Sequence, residues 1–332
     1  MPILHADSRI EVAGHRLLQG VASSVHRRVV GQDATVEGLL IALLTGGHML
    51  LEGLPGLAKT LLVRSLADAL NTTFRRIQFT PDLLPGDIVG TPIYHQGSGE
   101  FRVYKGPIFA NIVLADEVNR APPKVQSALL EAMEEEQVTI DGTTYPLPDP
   151  FLVLATQNPI EQQGTYPLAE AQLDRFMMKL RIGYPSRGEE GEIIRRVALT
   201  EASGRDEERA VPATAAAILE ARTKLHDVHV HKRIQDYIVD LVFATREPAS
   251  AGLADFEELM EFGISPRATI FLTRASRALA MLRGRVFVLP DDVKAVAPAV
   301  LRHRIRTTYE ADARGIDADD LVVRLLRAVP AP

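Results

Sequence analysis

The hydrophobic pattern of residues 48–182 alternates short apolar runs with stretches of helical spacing. Two of the runs, at 112–115 and 151–155, are continuously apolar, which is typical of strands buried on both faces of a parallel sheet. Between the runs, apolar residues at helical spacing predict helices at 60–70 and 123–135. The predicted strands are 48–52, 74–79, 111–116, 151–156 and 177–182. This alternation predicts an α/β domain built on a parallel five-stranded sheet.

Two β-hairpin inserts are predicted within this domain. In residues 91–103, Gly97-Ser98-Gly99 separates two strand-like arms. In residues 137–145, Asp141-Gly142 separates two more, and this dipeptide favours the type I′ turn that closes a tight hairpin. The second hairpin is either a surface feature or a loop with a working role.

The pattern changes on both sides of the predicted sheet. Helical spacing predicts one amphipathic helix at 10–28 and an all-helical region after residue 213. A polar, acidic stretch at 200–209 favours a linker ahead of that region. The predicted organisation is an N-terminal helical segment at 1–30, an α/β core at 31–186, a linker at 187–212 and an all-α domain at 213–332.

Composition narrows the class of protein. The 332 residues carry a formal net charge of −6 and include neither cysteine nor tryptophan. Disulfides, thiolate metal sites and cysteine nucleophiles are therefore excluded, and an acidic, aromatic-poor chain offers little to nucleic acid. The N-terminus lacks the pattern of a signal peptide, and no apolar run is long enough to span a membrane. We expect a cytoplasmic protein with no nucleic-acid partner and no membrane span.

The first candidate site lies at residues 50–70, where an apolar run, a glycine-containing loop and a helical stretch follow one another. A phosphate-binding loop requires that order, because loop N–H groups and the helix N-terminus form an anion cradle. We expect Lys59 to reach the β- and γ-phosphates and the Thr60 hydroxyl to bind Mg²⁺. Ala58 replaces the usual second glycine and accepts positive φ less readily. The loop residues are Gly53, Leu54, Pro55, Gly56, Leu57 and Ala58.

Polar side chains follow two of the predicted strands. Asp116 and Glu117 follow one apolar run, and Asn158 follows the next. A nucleoside-triphosphate hydrolase needs one carboxylate for Mg²⁺ and a second to orient or deprotonate the attacking water. Asp116 fits the first role and Glu117 the second. Because ligands collect at the carboxyl ends of parallel strands, Asn158 is predicted beside the γ-phosphate. The alternative for Asn158 is a simple Asn-Pro turn.

Two arginines occupy positions from which they could contact a nucleotide. Arg175 precedes the last predicted strand, at the edge of the core, where an arginine can reach into a neighbouring subunit's site. The alternative is a surface arginine paired with Asp174. Arg267 lies in the first turn of a predicted helix capped by Ser265, where a cation opposes the helix dipole. Contact with a phosphate explains that cost.

These motifs occur in the order of AAA+ ATPases, and more narrowly the chain resembles the MoxR family. The resemblance covers nearly the whole chain. In that family alanine is usual at the position of Ala58, so the departure from the generic loop becomes a match. The stretches that carry the resemblance are 52–60, 74–87, 115–136, 155–159, 173–176 and 265–267. It implies an AAA+ P-loop core with β-hairpin inserts, followed by an all-α lid domain.

The resemblance also implies cofactors and roles. The cofactors are ATP and Mg²⁺. Asn158 corresponds to sensor 1, Arg175 to the arginine finger, and Arg267 to sensor 2, acting on its own subunit's nucleotide or a neighbour's. Gln32 and Leu61 join the loop as nucleotide contacts. The implied catalytic residues are Glu117, Asn158, Arg175 and Arg267, and the implied metal ligands are Thr60 and Asp116.

The family further implies a function. Its members resemble ring-forming, usually hexameric ATPases that act as chaperones in maturation or metal insertion, with partners carrying von Willebrand factor A domains. We therefore expect a Mg-ATP-hydrolysing ring that remodels protein clients. Two alternatives remain open. One is an ATP-dependent scaffold whose turnover is incidental, and the other is a DNA-dependent motor, which the acidic charge and few aromatics disfavour.

Three further features have ordinary explanations beside functional ones. His226, His229 and His231 are clustered, but their spacing does not bring all three to one helical face, which disfavours a metal site. The acidic residues in 131–136 form either a solvated face or a contact with a basic neighbour in a ring. Arg120 either contacts a neighbouring subunit or starts a helix.

Overall fold

The computed structural model of the chain describes residues 8–97, 99–158, 164–203 and 213–332. Its strands are β1 Met49–Gly53, β2 Phe74–Gln78, β3 Gly90–His95, β4 Glu100–Lys105, β5 Ile112–Asp116, β6 Gln137–Ile140, β7 Thr143–Pro146, β8 Leu152–Gln157 and β9 Met178–Ile182. Its helices are α1 Ser8–Arg28, α2 Asp33–Thr45, α3 Lys59–Ala69, α4 Pro85–Val89, α5 Pro123–Glu135, α6 Glu170–Leu173, α7 Arg187–Ser203, α8 Ala215–Lys224, α9 Lys232–Phe243, α10 Phe256–Leu259, α11 Pro266–Leu282, α12 Pro290–Leu301, α13 Tyr309–Ala313 and α14 Ala318–Ala328.

Five strands form the central sheet, in the order β2-β5-β8-β1-β9. The pairs β2–β5, β5–β8 and β8–β1 are parallel, with Leu154 aligned to Leu114 on one side and to Met49 on the other. Every residue of β5 is buried, as is every residue of β8 before Gln157. Such burial is expected of parallel strands covered on both faces. The predicted α/β core on a parallel five-stranded sheet is confirmed.

Both predicted β-hairpins are present outside the central sheet. β3 and β4 pair antiparallel over their whole length, and β6 pairs with β7 in the same way. Asp141 and Gly142 connect β6 to β7 with φ values of 50° and 75°, and a type I′ turn requires positive φ at both positions. Ser98, near the tip of the first hairpin, lies outside the described residues.

Internal contacts divide the chain into two compact units. The sheet unit comprises the described residues of 19–168 and 180–219, and the helical unit those of 1–18, 169–179 and 220–332. These limits differ from the predicted boundaries. Helix α1 contributes to both units, and the segment 169–179, predicted as core, belongs to the helical unit. Arg304, a buried arginine of the helical unit, donates to backbone carbonyls of this segment.

The predicted linker at 187–212 begins with a helix, because α7 occupies Arg187–Ser203. Residues 204–212 lie outside the described residues. A capping box starts α7: the Ser186 hydroxyl oxygen accepts from the Glu189 N–H at 3.4 Å, and the Glu189 carboxylate accepts from the Ser186 N–H at 2.6 Å. Glu192 then pairs with Arg196 at 2.9 Å, one turn along the helix. These local bonds make a helix of the first part of the predicted linker.

The helical unit contains α9, α11 and α12, which lie in the region predicted to be all-helical. Helices α11 and α12 each begin with a proline directly after the N-cap residue. The C-terminal stretch forms helix α14. In the described part of the chain, no helix is both long and apolar enough to cross a membrane.

Candidate functional site

The candidate phosphate loop joins β1 to α3. β1 ends at Gly53 and α3 begins at Lys59, so residues 54–58 form the loop. Ala58 is the N-cap residue of α3, and its carbonyl accepts from the Leu62 N–H at 2.9 Å. The N–H groups of the first helical turn have no partners within the helix and point towards the loop. This end of α3 therefore attracts anions.

Ala58 adopts the backbone conformation for which glycine is usual. Its φ of 54° and ψ of 21° lie in the left-handed region, which costs an L-residue about 1–2 kcal/mol. Gly56 is also left-handed, at φ 84°, and a Cβ added there would touch nothing. Left-handed positions of this kind allow successive N–H groups to converge on an anion. The loop therefore keeps the required backbone despite the alanine.

Gly53 and Lys59 fix the two ends of the loop. A Cβ on Gly53 would lie 2.9 Å from the Ile182 carbonyl oxygen, so only glycine lets β1 end this close to β9. Lys59 Nζ donates to the Gly53 carbonyl at 2.7 Å, which holds the ammonium group across the loop. Both Lys59 and Thr60 are half-buried. A cation and a hydroxyl thus lie beside the anion-attracting end of α3.

Asp116 and Thr156 connect the ends of β5 and β8. Asp116 is 8% exposed, and its Oδ1 accepts from the Thr156 hydroxyl at 2.6 Å. The Thr156 oxygen in turn accepts from the Glu117 N–H at 2.8 Å. Because β5, β8 and β1 are parallel and adjacent, their carboxyl ends lie at one edge of the sheet together with the phosphate loop.

Two residues of β2, which sequence reasoning missed, bind the neighbouring carboxylates. Arg76 donates to Asp116 Oδ2 from Nε at 2.9 Å and from Nη2 at 2.5 Å, and to Gln78 Oε1 at 2.6 Å. Gln78 Nε2 donates to Glu117 Oε2 at 2.7 Å. Arg120 Nε lies 3.1 Å from the same Glu117 oxygen, which gives Arg120 a place at the site. The Glu117 carboxylate is therefore held from two sides.

The signal for Arg76 and Gln78 lies in strand register. β2 is an edge strand of the sheet, and Gln78 pairs with Asp116 across the β2–β5 ladder. Arg76 lies two residues earlier and so on the same face as Gln78. Glu117 follows β5 with a left-handed φ of 58°, which is uncommon for any residue but glycine. Sequence alone does not distinguish two alternating polar residues on an edge strand from an ordinary solvated face.

Asn158 lies directly after β8 and is 7% exposed. The next residues, 159–163, lie outside the described part of the chain. Asn158 is therefore a buried amide at the same sheet edge as Asp116 and Glu117. The sheet unit brings together the phosphate loop, both carboxylates and this amide at the carboxyl ends of its parallel strands.

A cavity of about 190 Å³ lies beside the phosphate loop. Its walls are mainly apolar and include Leu57, Leu61 and Val197. Gln32 also lines the cavity, and its Nε2 donates to the Gly183 carbonyl at 3.1 Å. An apolar slot next to an anion cradle has the shape and chemistry to accept a planar base whose phosphates lie on the loop.

The two candidate arginines lie in the helical unit. Arg175 is half-buried in the turn between α6 and β9, and Arg267 is half-buried in the first turn of α11. Ser265 caps α11, because its hydroxyl oxygen accepts from the Arg267 N–H at 3.3 Å. The same hydroxyl donates to Asp174 at 2.8 Å, and the other Asp174 oxygen accepts from Arg304 at 2.8 Å. Both arginines are therefore adjacent in sequence to one bonded network.

One histidine of the 226–231 cluster caps a helix. Among the described residues, no group of three or more histidine, aspartate or glutamate side chains could hold a metal ion. His231 is the N-cap of α9, and its Nδ1 accepts from the Arg233 N–H at 3.2 Å. The rings of His229 and His231 are 6.3 Å apart between centroids, in an edge-to-face arrangement.

Comparison with known proteins places the chain in a family. Residues 48–178 match the model of the ATPase family associated with various cellular activities (AAA), and residues 254–325 match that of the AAA lid domain. The chain is 49% identical over 330 residues to Chaperone MoxR1 of Mycobacterium tuberculosis, which covers 95% of this chain and 85% of the relative. The chain belongs to the MoxR family of AAA+ ATPases.

Two further relatives agree with this membership. Protein MoxR of Methylorubrum extorquens is 32% identical over 93% of each chain. A crystal structure from Cytophaga hutchinsonii, described as that of a candidate ATPase, has a TM-score of 0.91 and 48% identity, covering 98% of this chain and 97% of that one. The AAA+ core and lid expected of a MoxR-family protein are confirmed. As a member of this ATPase family, the chain binds nucleotide and hydrolyses ATP.

Proposed function

We propose that this MoxR-family ATPase forms a hexameric ring that uses Mg-ATP to remodel or mature protein clients. We further propose that it acts in the cytoplasm, with a partner that carries a von Willebrand factor A domain. The observation that carries the proposal is the convergence of the phosphate loop, Asp116 and Glu117 at one sheet edge. The client class is supported by the relative named Chaperone MoxR1, which is 49% identical.

The residues at this edge fit Mg-ATP. We assign the phosphates to Lys59 and the loop N–H groups, and the base to the apolar cavity beside them. Thr60 and Asp116 offer hydroxyl and carboxylate oxygens, which are the hard ligands that Mg²⁺ takes. When bound, Mg²⁺ neutralises charge on the phosphate oxygens. Arg76 binds the same Asp116 carboxylate and therefore competes with the ion for it.

Glu117 is the proposed group that orients or deprotonates the attacking water. Its carboxylate is held by Gln78 and Arg120, and its N–H is held by Thr156. These contacts come from three separate elements and fix the direction of the carboxylate. Asn158, at the next strand end, is assigned to the water and the γ-phosphate.

Arg175 and Arg267 are assigned to phosphates at the interface between neighbouring subunits. Head-to-tail contacts close into a ring, so each subunit can lend residues to the next one's site. An arginine finger supplied in this way increases phosphoryl-transfer rates by about 10³–10⁵. In this proposal, ring assembly completes the active site, and the same ring acts on the protein client.

The test of the proposed function is Glu117→Gln, with Glu257→Gln as the matched control. Glu257 is exposed on α10 in the helical unit, so its substitution removes a charge that is not part of the sheet edge. We expect Glu117→Gln to bind ATP as the wild type does and to lose turnover by about 10²-fold or more. Client maturation is expected to be lost with it. Wild-type turnover in Glu117→Gln would contradict the assignment.

The same variant separates the alternatives. If Glu117→Gln matures clients as well as the wild type does, ATP acts only as an assembly signal and the scaffold function is correct. A DNA-dependent motor predicts that single- or double-stranded DNA stimulates the ATPase rate. The net charge of −6 argues against that outcome.

A further inference from the structure

Arg304 is a buried arginine whose acceptors lie on both sides of Arg175. Its side chain is 2% exposed, just after α12. Nη2 donates to the carbonyls of Asp174 and Phe176 at 2.9 and 2.7 Å, and Nη1 donates to the Met177 carbonyl at 3.3 Å. Nε donates to the Asp174 carboxylate at 2.8 Å. One side chain therefore fixes the backbone before and after Arg175.

Asp174 extends this network to the helix that carries Arg267. Its Oδ1 accepts from Arg304 and its Oδ2 from the Ser265 hydroxyl, so the carboxylate bridges two elements. Ser265 also caps the first turn of α11, in which Arg267 lies. The turn with Arg175 and the start of α11 with Arg267 are thus joined through one carboxylate.

Burial of the charged Arg304 guanidinium costs free energy, which a purely structural contact could avoid. Burial lowers its pKa to about 10, although Asp174 raises it and the charge of Arg267 lowers it further. The guanidinium is therefore charged at neutral pH in a site where apolar packing could replace an ion pair without loss of stability. Five donors in a fixed planar fork supply orientation, which apolar packing does not.

We propose that Arg304 and Asp174 are positioning residues that hold Arg175 and Arg267 as a single element acting on one phosphate group. The inference rests on the proposed function, in which both arginines contact the nucleotide. A displacement of about 1 Å in a reacting group can lower a rate about 10²-fold, so a rigid link between the two arginines affects turnover directly. Neither positioning residue needs to touch the nucleotide.

The link is best cut at Ser265, because removal of Arg304 would leave the Asp174 carboxylate without its buried partner and endanger folding. Ser265→Gly removes the hydroxyl that binds Asp174 and keeps most of the N-cap preference of serine. Ser265→Thr keeps both the hydroxyl and the cap, and is the conservative control. We expect kcat to fall about tenfold in Ser265→Gly, with KM for ATP within about twofold, and Ser265→Thr to restore kcat.

A double-mutant cycle distinguishes positioning from a general loss of structure. Arg175→Ala, Arg267→Ala and the double substitution are each made in the Ser265→Thr background and again in the Ser265→Gly background. The rate of single-turnover ATP hydrolysis is measured for every variant. In the Thr background the two substitutions should be coupled by about tenfold. In the Gly background the coupling should fall below about twofold, because the link between the two arginines is cut.

Equal coupling in both backgrounds would overturn the inference, as would a wild-type rate in Arg175→Ala. Glu117→Gln, run alongside, keeps this failure separate from that of the proposed function. If Glu117→Gln is inactive and the coupling is unchanged, the ATPase site stands and the positioning role is wrong. If Glu117→Gln is active, the proposed function itself fails and the inference fails with it.

Discussion

His303 makes the helical unit sensitive to acid. It is 8% exposed, and its Nε2 lies 2.9 Å from the Phe176 carbonyl, next to the segment that Arg304 holds. Burial lowers the pKa of His303 well below 6.5, and the charges of Arg304, Lys179 and Arg302 lower it further. The hydrogen bond to the Phe176 carbonyl opposes these effects and is the smaller influence, so the folded ring stays neutral in mild acid.

The sign of the effect follows from the two protonation states. Below about pH 6.5 the unfolded chain binds a proton at residue 303 that the folded chain does not bind, so acid favours unfolding. At about pH 5.5, below the unfolded pKa, the contribution of His303 to the free energy of unfolding falls by about 1 kcal/mol. The loss begins near pH 6.5 and grows as the pH falls.

The assay is urea unfolding of the wild type and of His303→Gln, at about pH 7.5 and pH 5.5. Glutamine keeps an N–H donor for the Phe176 carbonyl but does not titrate. We expect acid to destabilise the wild type by about 1 kcal/mol more than the variant. His226→Gln, at an exposed histidine of the same unit, should retain the wild-type difference. An equal acid loss in wild type and His303→Gln would refute the reasoning.

Two further predictions concern the sheet unit. Gly53→Ala should lower the free energy of unfolding by about 1–3 kcal/mol and weaken ATP binding, because the new Cβ would lie 2.9 Å from the Ile182 carbonyl oxygen. Thermal melting measures the stability and nucleotide titration measures the affinity. A variant with wild-type stability and wild-type affinity would contradict this prediction. Arg76→Gln should lower the Mg²⁺ concentration for half-maximal ATP binding about fivefold, because a half-exposed ion pair worth about 1 kcal/mol no longer competes for Asp116. Fluorescent-nucleotide binding at graded Mg²⁺ tests this, and an unchanged or higher requirement would count against the competition.

The parts of the fold that sequence predicted well carry their own local signals. The strands at 112–116 and 152–157 read as continuous apolar runs because both faces are covered. Helix α11 begins where predicted because Ser265 and Pro266 define its start. The phosphate loop is recognisable from its residue order, and Ala58 narrows the resemblance to the MoxR family.

The features that sequence did not predict depend on contacts distant in the chain. Arg76 and Gln78 became site residues only once the β2–β5 register brought them to Asp116 and Glu117. The segment 169–179 was predicted as core because it precedes a core strand, and Arg304, more than a hundred residues later, binds it to the helical unit. No periodicity within the segment reports such a partner.

The start of α7 was missed for a different reason. Its signal, the Ser186–Glu189 capping box, is local and was readable from sequence. The acidic residues that favour a linker lie farther along the chain, at 200–209, and carry no information about where the helix starts.

The most direct test of the ring with shared sites mixes two inactive variants. Glu117→Gln retains Arg175, and Arg175→Ala retains Glu117, so an interface between them can combine an intact carboxylate with an intact arginine. If Arg175 acts in the neighbouring subunit, an equal mixture of the two purified variants should regain about a quarter of the wild-type ATPase rate. In randomly mixed head-to-tail rings, about a quarter of the interfaces combine an intact Glu117 with an intact Arg175. A mixture that stays as inactive as its components would contradict a site completed by the next subunit.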